Sequence, residues 1–123
     1  MQFPAHVRDR QLEYFEKFDA RIRKRLAGLV SPDLIEEHRR QPLGQHSDAL
    51  DRILNYFRRG GLANKLGILR VSGGFRLVRF AGVRGAPSQV LDGPVIASLD
   101  EAYHAAFLAR IDDLNASLSG ENA

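Results

Sequence analysis

The stretch Lys65-Leu66-Gly67-Ile68-Leu69-Arg70-Val71-Ser72-Gly73-Gly74-Phe75-Arg76-Leu77-Val78-Arg79-Phe80 decides the fold. Leu66, Ile68 and Val71 flank Arg70, a glycine pair punctuates, and Phe75, Leu77, Val78 and Phe80 alternate imperfectly with Arg76 and Arg79. Two short apolar runs around Gly73-Gly74 predict a hairpin. Val83-Arg84 continues the second strand or opens a bulge, and Gly85-Ala86-Pro87 makes a further turn. Ser88-Gln89-Val90-Leu91 then supplies a third strand before Gly93-Pro94. The expectation is a three-stranded antiparallel meander over residues 65–91, with one apolar face and one face rich in arginine.

Helices are expected on both sides of it. Over residues 9–29, Leu12, Phe15, Ile22, Leu26 and Leu29 fall on one stripe, which Tyr14 and Phe18 widen. Acids come early (Asp9, Glu13, Glu16) and bases late (Arg21, Arg23, Lys24, Arg25), the order that suits the helix dipole. Ser31-Pro32 starts a second helix over 31–40, which stops before Pro42-Leu43-Gly44. Ser47 caps a third over 48–59, with Leu50, Ile53, Leu54 and Phe57 on its apolar face and Gly60-Gly61 at its end. Ser98 or Asp100 caps the last, over 99–118, where Leu99, Tyr103, Phe107, Ile111, Leu114 and Leu118 recur beside Ala102 and Ala106. Its apolar residues are expected on the meander face that holds Ile68, Leu77 and Phe80, since each element has one face to bury. Ser119 onward reads as a frayed tail. The fold class is α+β: a helical N-terminal half, an antiparallel meander and a long C-terminal helix packed on the sheet, in one domain over residues 1–123.

The 123 residues, 44% apolar and 27% charged, have an ordinary globular composition able to build a thin core. No cysteine is present, which removes disulfides, thiolate metal sites and a cysteine nucleophile and fits a reducing compartment. The first residues are charged with no apolar run, unlike a secretory signal, and no segment approaches transmembrane length. The cytoplasm is the expected location. The net charge of +3 is a sum over opposed regions. Residues 61–90 carry Lys65, Arg70, Arg76, Arg79 and Arg84 and no acid, whereas six acids follow from residue 91 against Arg110 alone. Such a pair of regions can hold two parts of one fold together, or steer a charged partner onto one face.

No GxSxG, P-loop or dinucleotide-binding pattern occurs. His6, His38, His46 and His104 share no ligand-like spacing. Glu36-Glu37-His38 can meet His46 across the Pro42-Leu43-Gly44 turn, while His104 lies four residues after Asp100, the spacing of a local helical pair. Ser31, Ser47 and Ser98 are better explained as caps than as nucleophiles. No catalytic, cofactor-binding or metal-binding residue is assigned to this chain. Asn55-Tyr56-Phe57-Arg58-Arg59 joins polar, aromatic and basic character at a helix end, either as core plus dipole complement or as a partner anchor. Arg70, Arg76, Arg79 and Arg84 would meet Asp112, Asp113 or a partner's acids, or lie on phosphates in a DNA groove. The scarcity of stacking aromatics argues against nucleic acid.

Two stretches carry a resemblance. Glu36-Glu37-His38, then Pro42-Leu43-Gly44, His46, Leu50, Arg52 and Asn55-Tyr56-Phe57-Arg58, resembles the first half of the small subunit of N,N-dimethylformamidase. So does the terminal set Asp100-Glu101-Ala102, His104-Ala105, Phe107-Leu108, Arg110-Ile111 and Leu114. With the strand-rich segment between them, the resemblance covers most of residues 9–118. It implies a hetero-oligomer in which a large subunit carries a mononuclear iron site and hydrolyses a formamide to formate and an amine. The small subunit would be an accessory chain wrapped on the large one, with no cofactor of its own. His38, Tyr56, Arg58 and His104 match motif positions and, with the four sheet arginines, are the expected partner-interface residues. The expected function is an accessory subunit of an amide hydrolase. The rival is a small DNA-binding or regulatory protein that uses a basic sheet face.

Overall fold

The computed structural model describes residues 5–59, 65–82 and 84–121. The element order is α1 (Ala5–Ala27), α2 (Pro32–Arg40), α3 (Asp48–Arg58), β1 (Leu66–Val71), β2 (Gly74–Arg79), β3 (Gln89–Val90) and α4 (Leu99–Glu121). The sheet is antiparallel in the order β1-β2-β3, as the hairpin reading requires. The expected end of the third helix at Gly60-Gly61, and Val83, lie outside the described residues.

Local chemistry sets the boundaries. The Ser31 hydroxyl accepts from the Leu34 amide at 3.1 Å and the Ser47 hydroxyl from the Leu50 amide at 3.3 Å, so each satisfies a first-turn donor of its helix. Ser98, rather than Asp100, caps α4 by accepting from the Glu101 amide. At the end of α1, Leu29 and Val30 bond back to Leu26 and Ala27, three residues each, which tightens the last turn. The expected limits of two helices need correction: α1 begins at Ala5 instead of residue 9, and α4 continues through Glu121 instead of fraying after Leu118.

The 23 residues of α4 make a rod of roughly 35 Å at ~1.5 Å per residue. It touches α1 and α2 on one side and β1 and β2 on the other. Its two stripes divide the work. Phe107, Ile111 and Leu114 join Leu26, Leu34, Leu50, Ile53 and Leu54 in the buried core between helices. Ala102 and Ala106 are also buried, and Arg110, one turn on, donates from Nη2 to the Leu66 carbonyl of β1 at 3.1 Å. Small side chains on that stripe let the helix backbone approach the sheet. The expected packing of Phe107, Ile111 and Leu114 on the meander is therefore wrong: they face helices, while the alanines face the sheet. Leu99 is 43% exposed and is not core.

Register also corrects the sheet. Leu66 pairs with Arg79, Ile68 with Leu77 and Arg70 with Phe75, and directly opposed residues share a face. That face turns toward α4, since Arg79 pairs with Asp113. Arg76, Val78 and Phe80 alternate to the opposite face, where Val78 is itself buried. There the Phe80 ring closes over Gly67, within 2.6 Å of where a Cβ would stand. Phe80 thus does not join Ile68 and Leu77. The arginines divide too, Arg70 and Arg79 inward and Arg76 outward, so no single face gathers them.

Candidate functional site

An open cleft of about 550 Å³ lies between the α2–α3 layer and β1, with α4 as its floor. Its apolar surface comes from Leu54, Leu66, Ile68, Phe75, Tyr103 and Phe107, and Leu43 and Leu99 stand at it as exposed side chains. Its basic groups are Arg58, Arg70 and Arg110, and no carboxylate lines it among the described residues.

At one end, three histidines and a phenylalanine stack. His38 is 3% exposed, and its ring lies 4.0 Å from that of Phe107 at an interplanar angle of 13°. Its Nδ1 is 3.0 Å from Nδ1 of His104, so one ring donates and the other accepts. His46 stacks on His38 at a centroid distance of 6.1 Å. Burial, then the nearby charges of His104 and His46, push His38 down to about 4, with Glu37 pulling the other way. His104 is lowered by burial and by Arg39, against Glu36. Both rings therefore favour the neutral form, which leaves one Nδ1 free to accept the shared N–H. The expected meeting of His38 with His46 across the turn occurs. The expected local pair of Asp100 with His104 does not, because His104 turns to His38. Among the described residues no group of three or more His, Asp or Glu side chains could hold a metal ion.

The other residues named from sequence have their own places. Glu37 accepts from the Ser47 amide at 2.6 Å and its hydroxyl at 2.7 Å, which fixes the start of α3 to α2 and holds the Glu37 carboxyl below its usual range. The Tyr56 hydroxyl donates to the Asp19 carboxylate at 3.1 Å, tying α3 to α1, and burial raises its pKa. Arg58 donates to Asn55 Oδ1 at 3.1 Å at the cleft edge. Arg76 donates to the Gly93 carbonyl at 2.8 Å. Arg79 makes a forked pair with Asp113, at 3.0 and 3.5 Å. Arg84 is exposed in a turn away from the cleft. The site thus unites His38, His104, Arg58 and Arg70, but not Tyr56, Arg76, Arg79 or Arg84. Arg110 was missed. Its signal was present: the single base in the acidic C-terminal run continues the Ala102, Ala106 spacing of four.

The family model described as N,N-dimethylformamidase alpha subunit matches residues 13–121. That range takes in both halves of the cleft. The chain belongs to the N,N-dimethylformamidase alpha-subunit family. Two relatives agree. The N,N-dimethylformamidase alpha subunit of Paracoccus aminophilus is 32% identical, over 94% of this chain and 86% of its own. That of an Alcaligenes species is 31% identical, over 94% of this chain and 92% of its own.

Proposed function

We propose that this chain is the accessory small subunit of a hetero-oligomeric amide hydrolase of the dimethylformamidase kind. The chemistry is performed on a large partner subunit that carries the iron. Water adds to the formyl carbon, the C–N bond breaks, the nitrogen takes a proton, and formate and an amine leave. The observation that carries this reading is the family match over residues 13–121, supported by two relatives named as alpha subunits. The polar groups of this chain are consistent with it. His38 and His104 engage each other, Glu37 holds the Ser47 cap and Asp113 holds Arg79, so these groups serve the fold. No helix among the described residues is long and apolar enough to cross a membrane. We place the complex in the cytoplasm, which the absence of cysteine suits.

Co-expression with the large subunit tests the reading. Size-exclusion chromatography with light scattering should show a stable complex, and an amidase assay should find turnover in the complex and none in this chain alone. Turnover by the isolated small chain would overturn it.

A further inference from the structure

The cleft between the helices and β1 holds an unbalanced set of charges. Arg58, Arg70 and Arg110 line it without a carboxylate among the described lining residues. Arg58 and Arg110 spend single donors on uncharged oxygens, those of Asn55 and Leu66. Arg70 makes no hydrogen bond or ion pair among the described residues. Arg58 and Arg110 stand in the same lining, and burial followed by the nearby Arg58 charge lowers the Arg110 pKa. A guanidinium has five donors in a planar fork that matches a carboxylate. The same cleft has Leu43 at 58% and Leu99 at 43% exposure. Apolar side chains in a concave surface with arginine and tyrosine beside them are the composition of an interface centre. The volume far exceeds a small free acid, and the mouth is open.

We propose that this cleft is a docking site for a segment of the large subunit that inserts an apolar side chain against Leu43 and Leu99 and an adjacent Asp or Glu between Arg58, Arg70 and Arg110. The proposal rests on the accessory-subunit reading and names the contact through which it operates. The carboxylate relieves the repulsion between Arg58 and Arg110 and takes the free fork of Arg70. The apolar residue covers side chains that are otherwise left in water.

The test measures binding of purified large subunit to the wild-type chain, to an Arg58→Glu/Arg70→Glu variant, and to a Lys17→Glu/Arg21→Glu variant that makes the same charge change on the exposed surface of α1. Circular dichroism and thermal melts check that each is folded. Arg58 and Arg70 are exposed, so the fold should tolerate their replacement. The cleft variant should bind at least about tenfold more weakly, and the α1 variant within about twofold of wild type. A photo-crosslinking residue in place of Leu99 should capture a large-subunit peptide that contains an acid next to an apolar residue. Wild-type binding with no loss in the cleft variant would overturn the docking site while leaving the accessory role intact. Crosslinks to a second copy of this chain, or to large-subunit peptides without an acid, would overturn it too. No complex with the wild-type chain would remove the accessory reading and this proposal with it.

Discussion

His38 of α2 and His104 of α4 meet Nδ1 to Nδ1 at 3.0 Å across 66 residues of sequence. The bond needs the accepting Nδ1 free of a proton, so a proton added there breaks it and puts a positive charge in a nearly buried place. Stability should therefore depend on acid. Free histidine titrates near 6.5, and His38 in the fold near 4. Between those values the unfolded chain takes up a proton that the folded chain refuses, so unfolding gains as pH falls. The contribution is complete above pH ~6.5 and is lost through the window down to ~4, by roughly 3 kcal/mol for His38. His104 is shifted in the same direction and adds to the loss. The groups facing the pair are His46, Glu37, Glu36 and Arg39, and the two glutamates oppose the shifts. Urea midpoints at pH 7.5, 6, 5 and 4.5 should fall steadily, and His38→Gln should flatten the fall. An unchanged slope in that variant would show that other groups carry it.

Phe107 is 2% exposed, and its ring lies on His38 while meeting Phe57 edge-on at 6.2 Å. Phe107→Ala should cost about 3–5 kcal/mol in a denaturant titration. The site of the damage discriminates further. Because the ring packs among helices, amide exchange in α2, near Leu34 to His38, should accelerate before that in β1. Early loss in β1 would restore the sheet as its partner.

Much of this architecture was legible in the sequence. Ser31, Ser47 and Ser98 marked helix starts because a serine oxygen satisfies an amide that the helix leaves open. Gly73-Gly74 marked the hairpin. The assignment of faces was not legible, and the reason is physical. The spacing of four in α4 reads as one large-residue stripe with Ala102 and Ala106 beside it, able to approach a sheet or another helix, but a helix between two layers needs two buried stripes. The larger residues went to the wider gap between helices and the alanines to the close approach on the sheet. In β2, Leu77 and Val78 are adjacent apolar residues, so alternation could not say which face was inner. The cleft is half legible: Arg58 and Arg70 stand out in the sequence, but the local spacing points His104 to Asp100 instead of to a histidine on another helix. Local spacing carries no information about such a contact.

Arg79 and Asp113 answer the question of where the basic sheet meets the acidic helix. The fork spans 3.0 and 3.5 Å, with the side chains 26% and 51% exposed. Water reaches both, so the pair should contribute about 0.5–1 kcal/mol and no more. A double-mutant cycle with Arg79→Ala and Asp113→Ala, followed by urea unfolding, should give a coupling in that range. High salt should reduce it further. A coupling near zero at low salt would show that this contact adds nothing to the fold.

Gly73 and Gly74 are adjacent in the hairpin yet should respond differently to the same change. Both have positive φ, +85° and +154°. A Cβ at Gly73 would meet nothing within 4 Å, whereas one at Gly74 would collide with the carbonyl oxygen of Ile96. That carbonyl accepts from the Phe75 amide at 2.8 Å, and Ile96 donates back at the same distance, so this bridge ties the chain after β3 to the edge of β2. Gly73→Ala bears only the conformational cost of a left-handed residue, about 1–2 kcal/mol. Gly74→Ala should lose that and the bridge, about 3 kcal/mol or more. Amide exchange should then report Ile96 and Phe75 exposed in the second variant and protected in the first. Equal stabilities for the two would mean that Ile96 moves aside at little cost and that the bridge does not hold the sheet edge.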